Sequence, residues 1–403
     1  MSTITQNLPR VRRARGLSQE ELAARSEISI DVITRLEQGR KHAARWSTFI
    51  ALANALDVSV AVLVTPPGLL AHDAPGAAVD VGALRQAITY AGDIPGLAEL
   101  AEHEDLVPLP LLARTIDSLW KHYQDGQLAL VAHHLPGVIG DTRRLVRAST
   151  GNLAARAQTL LATTMNAAAG IAASFGHPDL AYLAIERAAA ASARADCDLP
   201  AVASAGFTSW ILVKQGRYAE AEHVASYAAA QAEPAFSNTD RRRWATFGHL
   251  LVNASCAAAR ARQYARADDL LSTAQAAAAR LGRDGIEGWS VFGPRVTAMY
   301  LVDNAVEAGD YERAITRSAA VPAANGGALP KTWEARYLLR LAFAYAELGR
   351  DGPAIDTLVA ARTAAPEWIR YAPMAAALVN DLLDRPARPN PKLAGLVTHL
   401  RLI

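Results

Sequence analysis

SQEELAARSEISIDVITRLEQGR, Ser18 to Arg40, reads as two short helices joined by a tight turn. Ser18 and Glu21 stand at the S-x-x-E spacing of a capping box. In that motif the serine oxygen and the glutamate carboxylate each satisfy a backbone N–H left over at a helix start, so a helix begins at Gln19. Leu22 and Ala23 are its inward positions. Ser26, Glu27 and Ile28 make the turn, and Ser29 offers an N-cap hydroxyl to a second helix. Ile33 and Leu36 point inward from that helix, and Gly39 ends it as a left-handed cap. Ile30, Asp31, Thr34 and Arg35 then share one outer face.

That outer face has the chemistry to read base edges in a major groove. Arg35 can donate two hydrogen bonds to guanine O6 and N7, Ile30 can lie against a thymine methyl, and Asp31 can accept from cytosine N4. Arg10, Arg12, Arg13 and Arg15 precede the two helices, and Arg40, Lys41 and Arg45 follow them. Such flanking charges attract phosphates without reading sequence.

Leu8 to Val64 resembles the five-helix DNA-binding domain of the phage-repressor (Xre-type) family. The resemblance is carried by RRARGLSQEELAARSEIS, by the ITRLEQGR ending, and by STFIALANALDVSVAVLV, which matches the fourth and fifth helices. It implies a dimer on double-stranded DNA, with Ile30, Asp31, Thr34 and Arg35 toward bases and Arg10, Gln19, Arg40 and Lys41 toward the sugar-phosphate backbone. Ile30 and Asp31 depart from the Gln, Ser or Arg common at these places in the family.

Composition supports a head-and-body division. The chain of 403 residues is long enough for two domains, and 51% hydrophobic content supports a large core. The net charge of +2 is uneven: residues 1–65 hold nine basic against six acidic residues, and the remainder is nearly balanced. Positive charge therefore concentrates where phosphates would be met. Two cysteines, Cys197 and Cys256, make neither a disulfide framework nor a zinc motif. With no apolar signal core and no apolar run of the roughly 18 residues a membrane span needs, a cytoplasmic protein is expected.

Thr65 to Asp80, TPPGLLAHDAPGAAVD, reads as a linker. Beyond it lies an internal repeat: GQLALV at Gly126, GHPDLA at Gly176, GRYAEA at Gly216, RQYARA at Arg262, GDYERA at Gly309 and GRDGPA at Gly349. Each copy follows an apolar helix and opens another, with a small or apolar residue five positions after the turn residue. The turn residue ends the first helix in left-handed geometry, and the small residue lets the second helix cross closely. This is tetratricopeptide-type geometry, in which one helix pair cannot bury its apolar face alone and so stacks on its neighbours. The expected fold is all-α: a five-helix DNA-binding domain at 1–65, a linker at 66–80, a tetratricopeptide-like solenoid at 81–385, and a spacer with a short helix at 386–403.

The repeats, from GHPDLAYLAIERA to GRDGPAIDTLVAARTAAPEWIRYAPMAAALVNDLL, resemble actinobacterial regulators that fuse an Xre-type domain to tetratricopeptide repeats. They resemble more remotely the peptide-pheromone receptors of Gram-positive bacteria, whose repeat groove binds a short peptide. The resemblance implies a transcriptional regulator with a peptide or small-molecule effector. The alternative is a repeat domain that docks a partner protein and takes no small effector.

Candidate ligand contacts on the first helices are Asn166, Trp210, Asn253, Tyr300, Asn304, Arg336 and Arg340, together with Trp289 in the insertion GRDGIEGWSVFGP. An asparagine amide offers donor and acceptor to a peptide backbone. The alternative for each is a bond between neighbouring repeats or exposure to solvent. The insertion reads as a mobile aromatic loop that either lines a ligand site or caps the fourth repeat. Leu393, Leu396, Val397 and Leu400 form a last apolar stripe that either docks on the final repeat or makes a dimer contact. No catalytic set, metal site or cofactor motif is expected: His133-His134 lacks a third ligand, and no phosphate-binding glycine loop is present.

Overall fold

The computed structural model describes residues 3–39, 46–56, 58, 63, 81–90, 106–195, 199–287, 290–323, 329–385 and 390–402. The predicted linker 66–80, the backbone-contact candidates Arg40 and Lys41, and Trp289 lie outside the described residues.

The head contains α1 (Thr3–Ala14), α2 (Gln19–Ser26), α3 (Ile30–Glu37) and α4 (Trp46–Ala55). Its core is Ile4, Leu8, Val11, Leu22, Ile33, Leu36, Phe49, Leu52, Leu56 and Leu63, separate from the cores of the rest of the chain. The capping box forms as the spacing predicts: Glu21 N–H donates to Ser18 Oγ at 3.0 Å, and Ser18 N–H donates to Glu21 Oε2 at 2.7 Å. Glu27 turns the chain in left-handed geometry (φ 58°), and Gly39 closes α3 at φ 68°. One expectation fails. Ser29 occupies the N-cap of α3 but makes no side-chain cap bond. In the turn, Ile28 N–H donates to Ser26 Oγ at 3.4 Å, and Ser26 Oγ donates back to Leu22 O of α2 at 2.7 Å.

The body is an array of antiparallel helix pairs. These are α6/α7 (Leu109–Gln124, Leu128–Ala148), α8/α9 (Gly151–Ser174, Pro178–Ser192), α10/α11 (Leu199–Lys214, Tyr218–Ala232), α12/α13 (Arg241–Arg260, Tyr264–Leu281), α14/α15 (Pro294–Glu307, Tyr311–Ser318) and α16/α17 (Lys331–Glu347, Asp351–Ala364). α5 (Val81–Thr89) packs on the first pairs through Leu84 and Ile88. The first helices α8, α10, α12, α14 and α16 each pack on the next, so they form one continuous inner wall.

The repeat is visible in backbone angles. The six predicted turn residues all adopt positive φ: Gly126 81°, Gly176 81°, Gly216 78°, Arg262 61°, Gly309 76° and Gly349 70°. Arg262 takes the conformation without being glycine. The residues five positions on, Val131, Ala181, Ala221, Ala267, Ala314 and Ala354, are all buried. A serine device recurs as well. Ser209 Oγ donates to Ala221 O at 2.9 Å, and Ser255 Oγ donates to Ala267 O at 2.8 Å. Both serines tie the first helix of a pair to the second.

The described residues of the insertion form a two-stranded hairpin. β1 (Gly285–Glu287) pairs antiparallel with β2 (Ser290–Phe292), with Ile286 opposite Val291. Phe292 is fully buried against Gly248 of α12, where a Cβ would lie 2.0 Å from the ring. The missing side chain at Gly248 is what lets the hairpin seat. The apolar stripe of α19 (Pro391–Leu400) docks on the end of the array, with Leu393, Leu396 and Val397 buried in the last core. That core also takes in α18 (Pro373–Leu383), and Arg362 donates to Gly395 O at 3.2 Å.

The array also closes on itself. Thr332 Oγ1, at the start of α16, donates to Gln124 O of α6 at 2.9 Å, and Ala129 N–H of α7 donates to Glu367 Oε1 at 2.6 Å. Phe175 meets Tyr371 edge-on at 4.8 Å between ring centres. Gly126 fits here for two reasons: its positive φ, and a pocket in which a Cβ would lie 3.1 Å from both Thr332 and Trp368. The first and last pairs thus share one interface.

Candidate DNA-binding face and interior ligand site

α3 presents Ile30, Asp31 and Arg35 to solvent, with Ile30 42% exposed. An apolar side chain left out of the core at a helix start is what contact with a thymine methyl needs. Asp31 and Arg35 pair across one helical turn at 2.8 Å, both more than half exposed. The pair aligns the guanidinium along the helix face, and screened exposed pairs of this kind contribute little to stability.

The helix is held from behind. Arg12 of α1 meets Glu37, at the end of α3, through two bonds of 2.7 and 2.8 Å, and its third nitrogen donates to Leu17 O at 2.8 Å. The bond to Glu37 raises the Arg12 pKa above its ordinary value despite burial. Gln19 Nε2 donates to Glu37 Oε2 at 2.7 Å, and Thr34 Oγ1 donates to Gln19 Oε1 at 3.1 Å. Arg12 is therefore not one of the flanking phosphate cations, and Gln19 and Thr34 are engaged inside the domain. Gln19 keeps one amide N–H beyond its bond to Glu37. Arg10 remains exposed, 3.4 Å from Asn7 Oδ1. The signal for the Arg12–Glu37 pair was present in the spacing: Arg12 lies four residues after Leu8, on the buried face of α1.

Inside the body the predicted ligand residues separate into two groups. Asn166, Asn304 and Arg340 are buried and bonded between repeats. Ser204 Oγ donates to Asn166 Oδ1 at 3.2 Å, and Asn304 Nδ2 donates to Ser255 Oγ at 2.8 Å. Arg340 pairs with Asp303 and Glu307, and Arg260 reaches the same carboxylates at 3.6 and 3.1 Å. These two arginines and two carboxylates join α12, α14 and α16. Burial pulls the Asp303 pKa up, but Arg340, Arg260 and Arg336 together bring it below 3.8.

Asn253 also reaches a neighbouring repeat, its Nδ2 donating to Gly206 O at 3.4 Å, while Trp210, Tyr300 and Arg336 form the second group, on the inner wall. Arg336 Nη1 lies 3.4 Å from Tyr300 Oη, and its guanidinium stands 5.6 Å from the centre of the Trp333 ring. The charge of Arg336 acts on Tyr123, Lys214, His249 and Tyr300, residues of four other helices. Burial raises both Tyr123 and Tyr300 to about 12 and lowers His249 to about 4. His249 Nδ1, neutral at ordinary pH, donates to Val291 O at 3.1 Å. Lys214, Tyr123 and His249 were not singled out from sequence; no local spacing marks residues that only superhelical curvature brings together.

The head abuts one edge of the body. Ala53, Asn54 and Val58 face Gln215, Gly216, Tyr218, Arg260 and Arg262 across a crevice, and Phe49 stands beside Phe343, Met374 and Leu378. Among the described residues, no helix is long and apolar enough to cross a membrane, and no group of three metal-ligating side chains occurs.

Residues 6–64 match the family model described as a helix-turn-helix domain. The chain is 47% identical over 60 residues to y4dJ, an HTH-type transcriptional regulator of Sinorhizobium fredii; the match covers 15% of this chain and 77% of that protein. A crystal structure of Bacillus thuringiensis PlcR in complex with the peptide PapR7 and DNA superposes with a TM-score of 0.37 and 9% identity. That superposition covers 79% of this chain and 95% of PlcR. The match of head to regulator, with the clamped helix and its outward face, places the chain in the family of helix-turn-helix transcriptional regulators.

Proposed function

We propose that the protein is a dimeric, ligand-responsive regulator that binds a specific operator in the cytoplasm. Residues 1–65 grip DNA, 66–80 link, and the tetratricopeptide-like array at 81–385 senses a peptide or small molecule. The observation that carries this reading is the outward face of α3, Ile30, Asp31 and Arg35, on a helix fixed at its far end by Arg12. A helix held this firmly presents its side chains to base edges without rearranging, so little ordering entropy opposes recognition.

Coupling between body and head has a physical route. Arg260 belongs to the buried charge network of the inner wall and also lines the crevice facing Ala53 and Asn54. A ligand that favours one arrangement of α12, α14 and α16 would move that edge and shift the two heads of a dimer relative to half-sites about 34 Å apart. The alternative of a protein-docking scaffold is less favoured, because the first and last helix pairs meet and leave the inner wall less open to a folded partner. Footprinting tests the DNA face: Arg35→Ala should weaken specific binding by about 1–3 kcal/mol with non-specific binding little changed. Unchanged operator affinity in that variant rules out the assigned face.

A further inference from the structure

We infer that the interior of the array holds a carboxylate-binding subsite, with the ammonium of Lys214 and the guanidinium of Arg336 as its charges and Trp210 and Trp333 as its walls. The inference rests on the ligand-sensing reading above and names the chemistry of the ligand.

The argument begins with which interior cations are neutralised. Arg260 and Arg340 share Asp303 and Glu307, so two positive and two negative charges cancel. One helical turn earlier on α16, Arg336 has no carboxylate within ion-pair distance among the described residues, and neither does Lys214 at the end of α10. Lys214 Nζ meets Ala173 O at 3.5 Å and lies 4.6 Å from the centre of the Trp210 ring. Arg336 has the Tyr300 hydroxyl and the Trp333 ring. Each cation is attracted to its indole face, while Arg336 and Lys214 repel each other, so an anion between them relieves the repulsion.

The surrounding groups suit an anion. Tyr123 and Tyr300 hold their protons, and the Tyr300 hydroxyl, which accepts from Arg336, retains its own hydrogen to donate. His249 is uncharged at ordinary pH, so it adds no further cation. Lys214 stays in contact with water although protein surrounds it. Burial first, and then Arg336, lower its pKa to about 8, so it remains mostly charged at neutral pH and readily gains from a counter-ion. A carboxylate fits better than a phosphate. The guanidinium fork matches two carboxylate oxygens. The inner-wall N–H groups in mid-helix are already bonded within their helices, leaving no nest for the additional oxygens of a phosphate. The indole walls favour a carboxylate attached to a flat or apolar group.

The carboxylate can come from a peptide C-terminus or from a free organic acid, and one experiment separates them. The full-length protein is incubated with random heptapeptides bearing free C-termini, with the same pool amidated, and with a set of aromatic carboxylic acids and their methyl esters. Native mass spectrometry then reads what is retained. Retention of free-terminus peptides but not amides assigns the subsite to a peptide end; retention of acids but not esters assigns it to a small acid. Lys214→Gln and Arg336→Gln should each weaken retention about tenfold, and Lys214→Arg should largely restore it. Should a glutamine variant fail to fold, the wild type decides alone: retention falls as pH rises through about 8. Equal retention of amides or esters, no retention from any pool, or no pH dependence overturns the subsite. Retention that leaves operator binding unaltered in a mobility-shift assay overturns the sensing function while leaving the subsite in place.

Discussion

Arg12 and Glu37, 25 residues apart, close on each other through two bonds of 2.7 and 2.8 Å and lock the first helix to the end of the third. Both side chains are nearly buried, 10% and 7% exposed. Removing one partner leaves the other charged and desolvated, which costs about 3–5 kcal/mol in comparable settings. Arg12→Ala should therefore unfold the head ahead of the body. Hydrogen exchange checks this: amides of α1 to α3 lose protection while those of α12 to α17 keep it. Uniform protection across the variant contradicts the clamp.

The Asp31–Arg35 pair predicts an effect on specificity. Asp31→Ala frees Arg35 and removes a carboxylate that repels phosphates. Binding to unrelated DNA should strengthen by roughly 0.5–1 kcal/mol, while the ratio of operator to unrelated affinity falls. Mobility shifts at two salt concentrations read both quantities. An unchanged ratio shows that Asp31 plays no part in discrimination.

Asp303 predicts how acid acts on the body. Its folded pKa lies below 3.8, so its contribution is fully present above that value and is lost as pH falls through the lower, folded one. Asp303→Asn should be less stable than wild type at pH 7 by about 1–3 kcal/mol, since Arg340 and Arg260 then share Glu307 alone. The difference should shrink below about pH 3.8. Denaturant midpoints at pH 7 and pH 3 measure it, and an equal gap at both places the charge elsewhere.

His249 titrates in the opposite sense to a histidine that gains a partner. Its folded pKa, about 4, is depressed from 6.5, so the unfolded chain takes up the proton first. Stability should fall between pH 6.5 and pH 4 by at most about 1.4 kcal/mol per pH unit from this group. His249→Gln should flatten that part of the profile. A profile identical to wild type shows that other groups set it.

Arg262 holds φ 61°, where the other five turns have glycine. A non-glycine residue there costs about 1 kcal/mol, and the entropy lost by adding a glycine offsets part of it. Arg262→Gly should stabilise the array by about 0.5 kcal/mol. A lower thermal midpoint shows that the arginine side chain contributes more than its backbone costs.

The sequence carried local order well and curvature poorly. The capping box at Ser18, the left-handed turn at Gly39 and the six repeat turns are decided within five residues, and each stands where spacing placed it. The apolar stripe of α19 also docks on the final core, one of the two outcomes its periodicity left open. Ser29 stands at the N-cap of α3 as its spacing placed it, but its side chain makes no cap bond there. Asn166 and Asn304 read as ligand contacts because an amide offers donor and acceptor to a peptide backbone; their partners are instead serines of adjacent repeats, which spacing alone does not reveal. The insertion reads as a glycine-rich aromatic loop, and the seat that Gly248, more than thirty residues earlier, leaves for Phe292 is marked by no local spacing. The proposed carboxylate subsite and its surroundings draw on residues from five helices, which only superhelical pitch brings near one another.

In an open stack, each helix pair needs only its neighbours, and a shortened stack survives. Here the N–H of Ala129 waits for a carboxylate 238 residues further on. At the pace of the ribosome, roughly ten to fifty seconds separate the emergence of the two. For that interval the front of the array is finished in shape but bare along one seam. Trimming the chain before Glu367 would strip both extremities at once, so this protein should tolerate a break in the middle of a loop better than the loss of its last repeat.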